Sequence, residues 1–271
     1  MTTRTMVNGD VDSAISPLDR GHAYGDGIFE TILFVNGVAP FWLRHMARLR
    51  LGCERLGLPL PDVSTLSNEC AQATTGIARA IVRISWTRGV GERGYAVSQP
   101  VLPTRVVVAS AALPLPADWY RDGIRLRCCT LRLAAQPVLA GIKHCNRLEQ
   151  VLARSEWSNP AIAEGLMFDV EDRVIGATAA NVFALIDGKL ATPALDRNGV
   201  AGVVRAEILA NRAVQVRDIS RTELMQADEI FLTSALRGVL PVAAIETRTF
   251  AIGAATRDLL AQWRTTMGEN T

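Results

Sequence analysis

Between residues 42 and 57 apolar side chains recur at helical spacing. Trp42, Met46, Leu49, Cys53 and Leu56 fall on one face, and Arg44, Arg48 and Arg55 project elsewhere, as on a solvated basic face. A second helix is predicted over 62–78. Composition predicts strands at 6–10, 28–35, 80–86 and 104–110. Asn36-Gly37 after the second of these is the strongest short hairpin signal in the chain. Residues 19–27, with three glycines, read as a turn-rich connection whose backbone can approach a ligand closely or merely join two elements. Leu113-Pro114-Leu115-Pro116 is the linker candidate. It divides the chain into domains 1–115 and 116–271.

Beyond the linker, a strand is expected at 123–133, then an extended stretch running into a helix after Asn146, where Leu148, Val151, Leu152 and Ser155 keep helical spacing. Residues 164–169 and 173–175 read as strands around a turn at Asp172. Residues 181–190 form a hairpin closed by Asp187-Gly188. A loop at 193–202 leads into a helix over 203–211, a strand follows at 227–234, and a helix at 254–265 closes the chain. The mixture is α/β, with no internal repeat.

The composition is that of an ordinary globular protein: 271 residues, 49% hydrophobic and 21% charged. A net charge of +2 gives no reason to expect nucleic acid or an anionic membrane as partner. No apolar run approaches membrane-spanning length. The start Met1-Thr2-Thr3-Arg4 lacks an apolar signal core. The five cysteines show no zinc-ligand spacing and suggest a reducing compartment. A cytoplasmic protein without a metal is the expectation.

Candidate chemistry is concentrated in a few places. Lys143 lies between Leu139-Ala140-Gly141-Ile142 and the helix that follows. Desolvation there favours a neutral amine, which is nucleophilic toward aldehydes; a solvated loop lysine is the plain alternative. Gly89-Val90-Gly91-Glu92-Arg93-Gly94 matches a dinucleotide pattern after a strand, but it does not open a helix, so a mobile loop carrying Arg93 and Tyr95 over a site fits better. Gly202-Val203-Val204-Arg205 opens a helix, whose free N–H groups hold phosphate or only water and caps. Thr233 and Ser234 end a strand with hydroxyls, either phosphate donors or a strand-end turn.

Several of these stretches carry a resemblance. Gly141-Ile142-Lys143-His144-Cys145-Asn146-Arg147-Leu148-Glu149-Gln150-Val151-Leu152 resembles the lysine segment of fold-type IV pyridoxal-phosphate enzymes, and within them is most similar to the aminodeoxychorismate lyase family. Branched-chain and D-amino acid aminotransferases share the lysine and the asparagine three residues on, but usually not the Arg-Leu-Glu-Gln continuation. Asp19-Arg20-Gly21-His22-Ala23-Tyr24-Gly25-Asp26-Gly27, His45-Met46-Ala47-Arg48-Leu49 and Arg93-Gly94-Tyr95 extend the similarity, which runs from Asp19 to about Pro241.

The resemblance implies a two-domain fold, an N-terminal two-layer α/β domain and a C-terminal β-barrel-like domain with helices. It implies pyridoxal 5'-phosphate joined to Lys143 as a Schiff base. Arg48, Val203, Val204, Ser234 and Asn181 are then cofactor contacts, and Tyr24, Arg93, Tyr95 and Arg237 substrate contacts. It further implies a homodimer acting on a small molecule, with elimination of pyruvate from 4-amino-4-deoxychorismate as the reaction; an aminotransferase of the same fold is the alternative.

One position departs from the pattern. Relatives carry a glutamate five residues before the equivalent of Asn181, paired with the pyridine nitrogen; here it is Gly176. Either another carboxylate such as Glu30 substitutes, or a neutral pyridine suffices because ring aromatisation supplies driving force, or the chain has lost catalysis while keeping the pocket.

Overall fold

The computed structural model describes residues 3–267, and Met1 and Thr2 lie outside them. The backbone divides into two units. The first runs through Leu113 and also takes Ile142–Asn146; the second comprises Pro114–Gly141 and the chain from Arg147 onward. The lysine segment therefore belongs to the first unit, although a boundary near 115 would assign it to the second.

The first unit contains β1 (Arg4–Val7), α1 (Arg20–Tyr24), β2 (Gly27–Val35), α2 (Trp42–Leu56), α3 (Val63–Thr74), β3 (Arg79–Thr87) and β4 (Thr104–Ala111). Its sheet has the order β1-β4-β3-β2, antiparallel throughout. Side chains alternate across a strand, so Ile28, Ile32 and Phe34 of β2 and Val82, Ile84 and Trp86 of β3 pack with Met46, Leu49 and Cys53 of α2 and Leu66 and Cys70 of α3 in one core. The apolar face read along 42–57 is the face that packs.

Two local expectations change. Residues 19–27 are not merely turns: Asp19 caps a short helix, its side chain accepting hydrogen bonds from the backbone N–H of Gly21 and His22. Asn36-Gly37 does adopt the left-handed conformations that favour a tight turn, with φ of 49° and 78°. The turn closes only the Val35–Val38 bridge, however, and the chain then enters α2 instead of a partner strand.

The second unit contains α4 (Ala117–Arg121), β5 (Ile124–Leu133), α5 (Leu148–Arg154), β6 (Glu164–Asp169), β7 (Val174–Ala177), β8 (Asn181–Ile186), β9 (Lys189–Pro193), α6 (Val203–Asn211), β10 (Gln215–Arg217), α7 (Arg221–Leu224), β11 (Glu229–Ser234), β12 (Gly238–Ile245), β13 (Arg248–Thr249) and α8 (Ala254–Thr266). Its mixed sheet runs β10-β9-β8-β11-β12-β5-β6-β7, with β13 beside β12. Val174 near one end of that order and Ala191 near the other share a core with Leu126, Val182, Leu232 and Val242, so the sheet curls around a single interior. The apolar stripe of α5 points outward: Leu148, Val151 and Leu152 are 68%, 56% and 52% exposed.

Candidate active site

Lys143 is not a solvated loop lysine but a half-buried one. Residues 142–146 run antiparallel beside β2, the open edge of the first unit's sheet. Phe29 N donates to Lys143 O at 2.9 Å and Cys145 N to Gly27 O at 2.8 Å, with Ile28 opposite His144. That register sets Lys143 opposite Phe29, with both side chains on the face away from α2 and α3. The Lys143 amine lies 4.4 Å from the Phe29 ring centroid, and Asn146 Nδ2 donates to Gly25 O at 3.2 Å. The chain has only two lysines; the other, Lys189, is exposed where the 187–188 turn enters β9.

Arg48 is not part of a solvated face. Its Nε donates to Glu30 Oε1 at 2.8 Å and its Nη2 to Glu30 Oε2, while the His45 ring Nδ1 sits 2.6 Å from Oε2. Glu30 is buried. Burial alone would raise its proton affinity, but the Arg48 charge and the hydrogen bonds from Arg48 and His45 outweigh it and hold the carboxyl at about 2. Both Glu30 oxygens are thus engaged, which leaves Glu30 unsuited to replace a pyridine-nitrogen partner.

The glycine-rich stretch at 89–94 forms no helix, as a dinucleotide motif would require. Arg20 grips the following turn, donating to Gly94 O at 2.9 Å, Tyr95 O at 3.2 Å and Ala96 O at 3.2 Å, while its Nε pairs with Asp26 at 2.9 Å. Tyr24 accepts from Gly94 N at 3.1 Å and meets the Tyr95 ring at 5.4 Å. The segment is therefore strapped to α1 instead of hanging free, and it gathers Tyr24, the exposed Arg93 and Tyr95 on one side of the first unit.

In the second unit, Asn181 links strand and helix: its Oδ1 accepts from Gly202 N at 2.9 Å and its Nδ2 donates to Val200 O at 2.8 Å. A Cβ at position 202 would collide with Asn181 Oδ1, which explains the glycine. No side chain caps α6, so the N–H groups of Val203 and Val204 form an open helix start. Arg205 turns inward, donating to Pro193 O at 3.0 Å. Asn181 pairs in register with Thr233, whose hydroxyl is buried without a partner. An uncapped helix start beside an orphaned buried hydroxyl fits a phosphate. Thr233 was singled out with Ser234 only as a strand-end hydroxyl; burial, which the sequence does not display, distinguishes the two. Ser234 Oγ accepts from Arg237 N at 3.2 Å and shapes the turn.

Arg237 is committed within its own unit, donating to Glu164 Oε2 at 2.7 Å and Ala179 O at 3.3 Å, while Thr178 donates to Glu164 Oε1. Gly176 lies on β7 opposite Met167, and a Cβ there would stand 2.9 Å from Ala180 O. Among the described residues no cluster of His, Cys, Asp or Glu is placed to hold a metal ion. Nor is any helix long and apolar enough to cross a membrane.

Comparison with known proteins places these features in a family. The chain is 37% identical over 265 residues to the aminodeoxychorismate lyase of Vibrio harveyi, covering 93% of this chain and 97% of that one. The solved structure of 4-amino-4-deoxychorismate lyase from Pseudomonas aeruginosa superposes with a TM-score of 0.92 at 42% identity, covering 96% of this chain and 98% of that one. A putative branched-chain-amino-acid aminotransferase of Methanocaldococcus jannaschii is 28% identical over 88% of this chain and 84% of its own length. The family model for amino-transferase class IV matches residues 27–245, and the chain belongs to that family.

Proposed function

We propose that this chain is a 4-amino-4-deoxychorismate lyase, releasing pyruvate and 4-aminobenzoate and serving folate synthesis. The observation that carries the reading is the higher identity, over nearly the whole chain, to lyases than to the aminotransferase described above. Pyridoxal 5'-phosphate bound here supplies an aldehyde for the amine and an electron sink for the carbon beside it. The open start of α6 at Val203 and Val204 and the Thr233 hydroxyl would hold its phosphate, with Asn181 fixing that corner and Arg48 and Ser234 as further contacts. The Lys143 amine removes the proton from the amine-bearing carbon and returns it to the departing enolpyruvyl group. Tyr24, Arg93 and Tyr95 are the proposed substrate contacts.

The test is incubation with 4-amino-4-deoxychorismate. Equal amounts of pyruvate and 4-aminobenzoate support the lyase; amine transfer to a keto acid without pyruvate release would make the chain an aminotransferase. The outward stripe of Leu148, Val151 and Leu152 supports a homodimer, and cysteines that form no disulfide among the described residues support a cytoplasmic setting.

Two variants probe the cradle and the departure at 176. Thr233→Val should weaken pyridoxal 5'-phosphate binding by about tenfold while leaving pyridoxal binding unchanged, since it removes one hydroxyl partner of a charged group. Titration of the stripped protein with both aldehydes checks this; equal losses would place Thr233 outside the phosphate site. Gly176→Glu should not raise activity. The new Cβ must displace the Ala180 carbonyl, which accepts from Ala177 N at 2.8 Å, at a cost of about 1–3 kcal/mol in unfolding free energy. Denaturant unfolding measures the cost, and a more active, equally stable variant would contradict the account.

A further inference from the structure

The sheet face opposite α2 and α3 carries an arginine that the reading above leaves unused. Arg83 lies on β3 opposite Thr31, and strand alternation sets both on the face of Phe29, Ser85 and Lys143. Its guanidinium carbon is 3.8 Å from the Phe29 ring centroid, and the Lys143 amine is 4.4 Å from the same centroid, so one ring borders both side chains. Arg20, Arg48, Arg105 and Arg237 each have a carboxylate partner. Among the described residues Arg83 has none, and its hydrogen bond to Ser85 Oγ is long at 3.3 Å. Contact with a ring face leaves in-plane N–H donors for a carboxylate, whose two oxygens match the guanidinium fork.

We propose that Arg83 is a carboxylate receptor beside Lys143, so that the site takes a molecule presenting an amine to the lysine side and a carboxylate to Arg83. The proposal rests on Lys143 being the reacting amine, and it assigns one substrate carboxylate to a residue outside the Tyr24–Tyr95 strap. Phe29 sets the spacing between the guanidinium and the amine, which makes it a positioning residue for both.

Benzoate and its neutral isostere benzamide are the probes, titrated by calorimetry into the cofactor-loaded protein and its R83Q and R83M variants. R83M retains an apolar stem against Phe29 should R83Q lose stability, and thermal unfolding confirms that each is folded. The wild type should bind benzoate at least about tenfold more tightly than benzamide, and both variants should reduce benzoate binding to the benzamide level without changing benzamide binding. Equal binding of the two probes by the wild type, or unchanged benzoate binding in the variants, would overturn the proposal. With 4-amino-4-deoxychorismate, R83Q should raise KM by about tenfold or more and leave kcat within about threefold; a fall in kcat at unchanged KM would overturn it. Absence of pyruvate release by the wild type would refute the lyase reading alone, because the benzoate titration still decides Arg83.

Discussion

Replacing Lys143 with alanine is expected to lower pyruvate release by on the order of a thousandfold or more, with little change in stability. The bonds that hold the segment to β2 are main-chain ones, from Phe29 N to Lys143 O and from Cys145 N to Gly27 O, and they survive the substitution. The contact of the half-buried side chain with the Phe29 ring, which is lost, is worth about 1 kcal/mol or less. No other lysine takes over, because Lys189 is exposed where β9 begins. A coupled pyruvate assay and a thermal melt check the two halves. Turnover within tenfold of the wild type would remove Lys143 from the chemistry, and a collapsed melt would show that the segment needs its side chain.

Replacing Glu30 with glutamine should have the largest effect on stability, a loss of about 3–5 kcal/mol at neutral pH. The substitution leaves the part-buried Arg48 guanidinium facing a neutral amide in place of the carboxylate that accepts from its Nε and Nη2. The sign of the pH dependence follows from the direction of the shift. The folded-state value near 2 lies below the ordinary 4.5, so the carboxylate's contribution is fully present above about 4.5 and is lost as pH falls through about 2. Wild type and Glu30→Gln should therefore converge in stability as the solution is acidified across that window. Urea midpoints at neutral pH and near pH 2 measure it, and a constant difference would contradict the pairing. Because Glu30 also orients Arg48, the same variant should lower affinity for pyridoxal 5'-phosphate, and Arg48→Ala should cost stability as well as cofactor binding.

Much of the secondary structure was legible because each element had a local cause. The α2 face is written in the spacing of Met46, Leu49 and Cys53, and the β8–β9 turn in Asp187-Gly188, whose φ values are 49° and 69°. β12 escaped notice because Gly238 and Pro241 argue against an interior strand. Pro241 is tolerated because pairing with β5 begins only at Val242. The stripe of Leu148, Val151 and Leu152 gave the helix but not the direction it faces, since apolar spacing does not distinguish a core from an exposed apolar face.

The site was legible where a motif carried it and obscure where partners come from distant sequence. Lys143 stood out, yet its pairing with β2 joins residues more than a hundred positions apart. Arg48 looked like a surface arginine among several until Glu30 and His45 closed around it. Arg237 looked available but is tied to Glu164, while Arg83, in a strand of ordinary composition, has no carboxylate partner among the described residues and borders the same ring as the lysine.

The account stands on the covalent attachment of the cofactor to one amine. Borohydride reduction of the loaded protein, followed by proteolysis and mass spectrometry, reads that bond directly. The phosphopyridoxyl group should be found on the peptide containing Lys143; finding it on Lys189, or on neither lysine, would contradict the account.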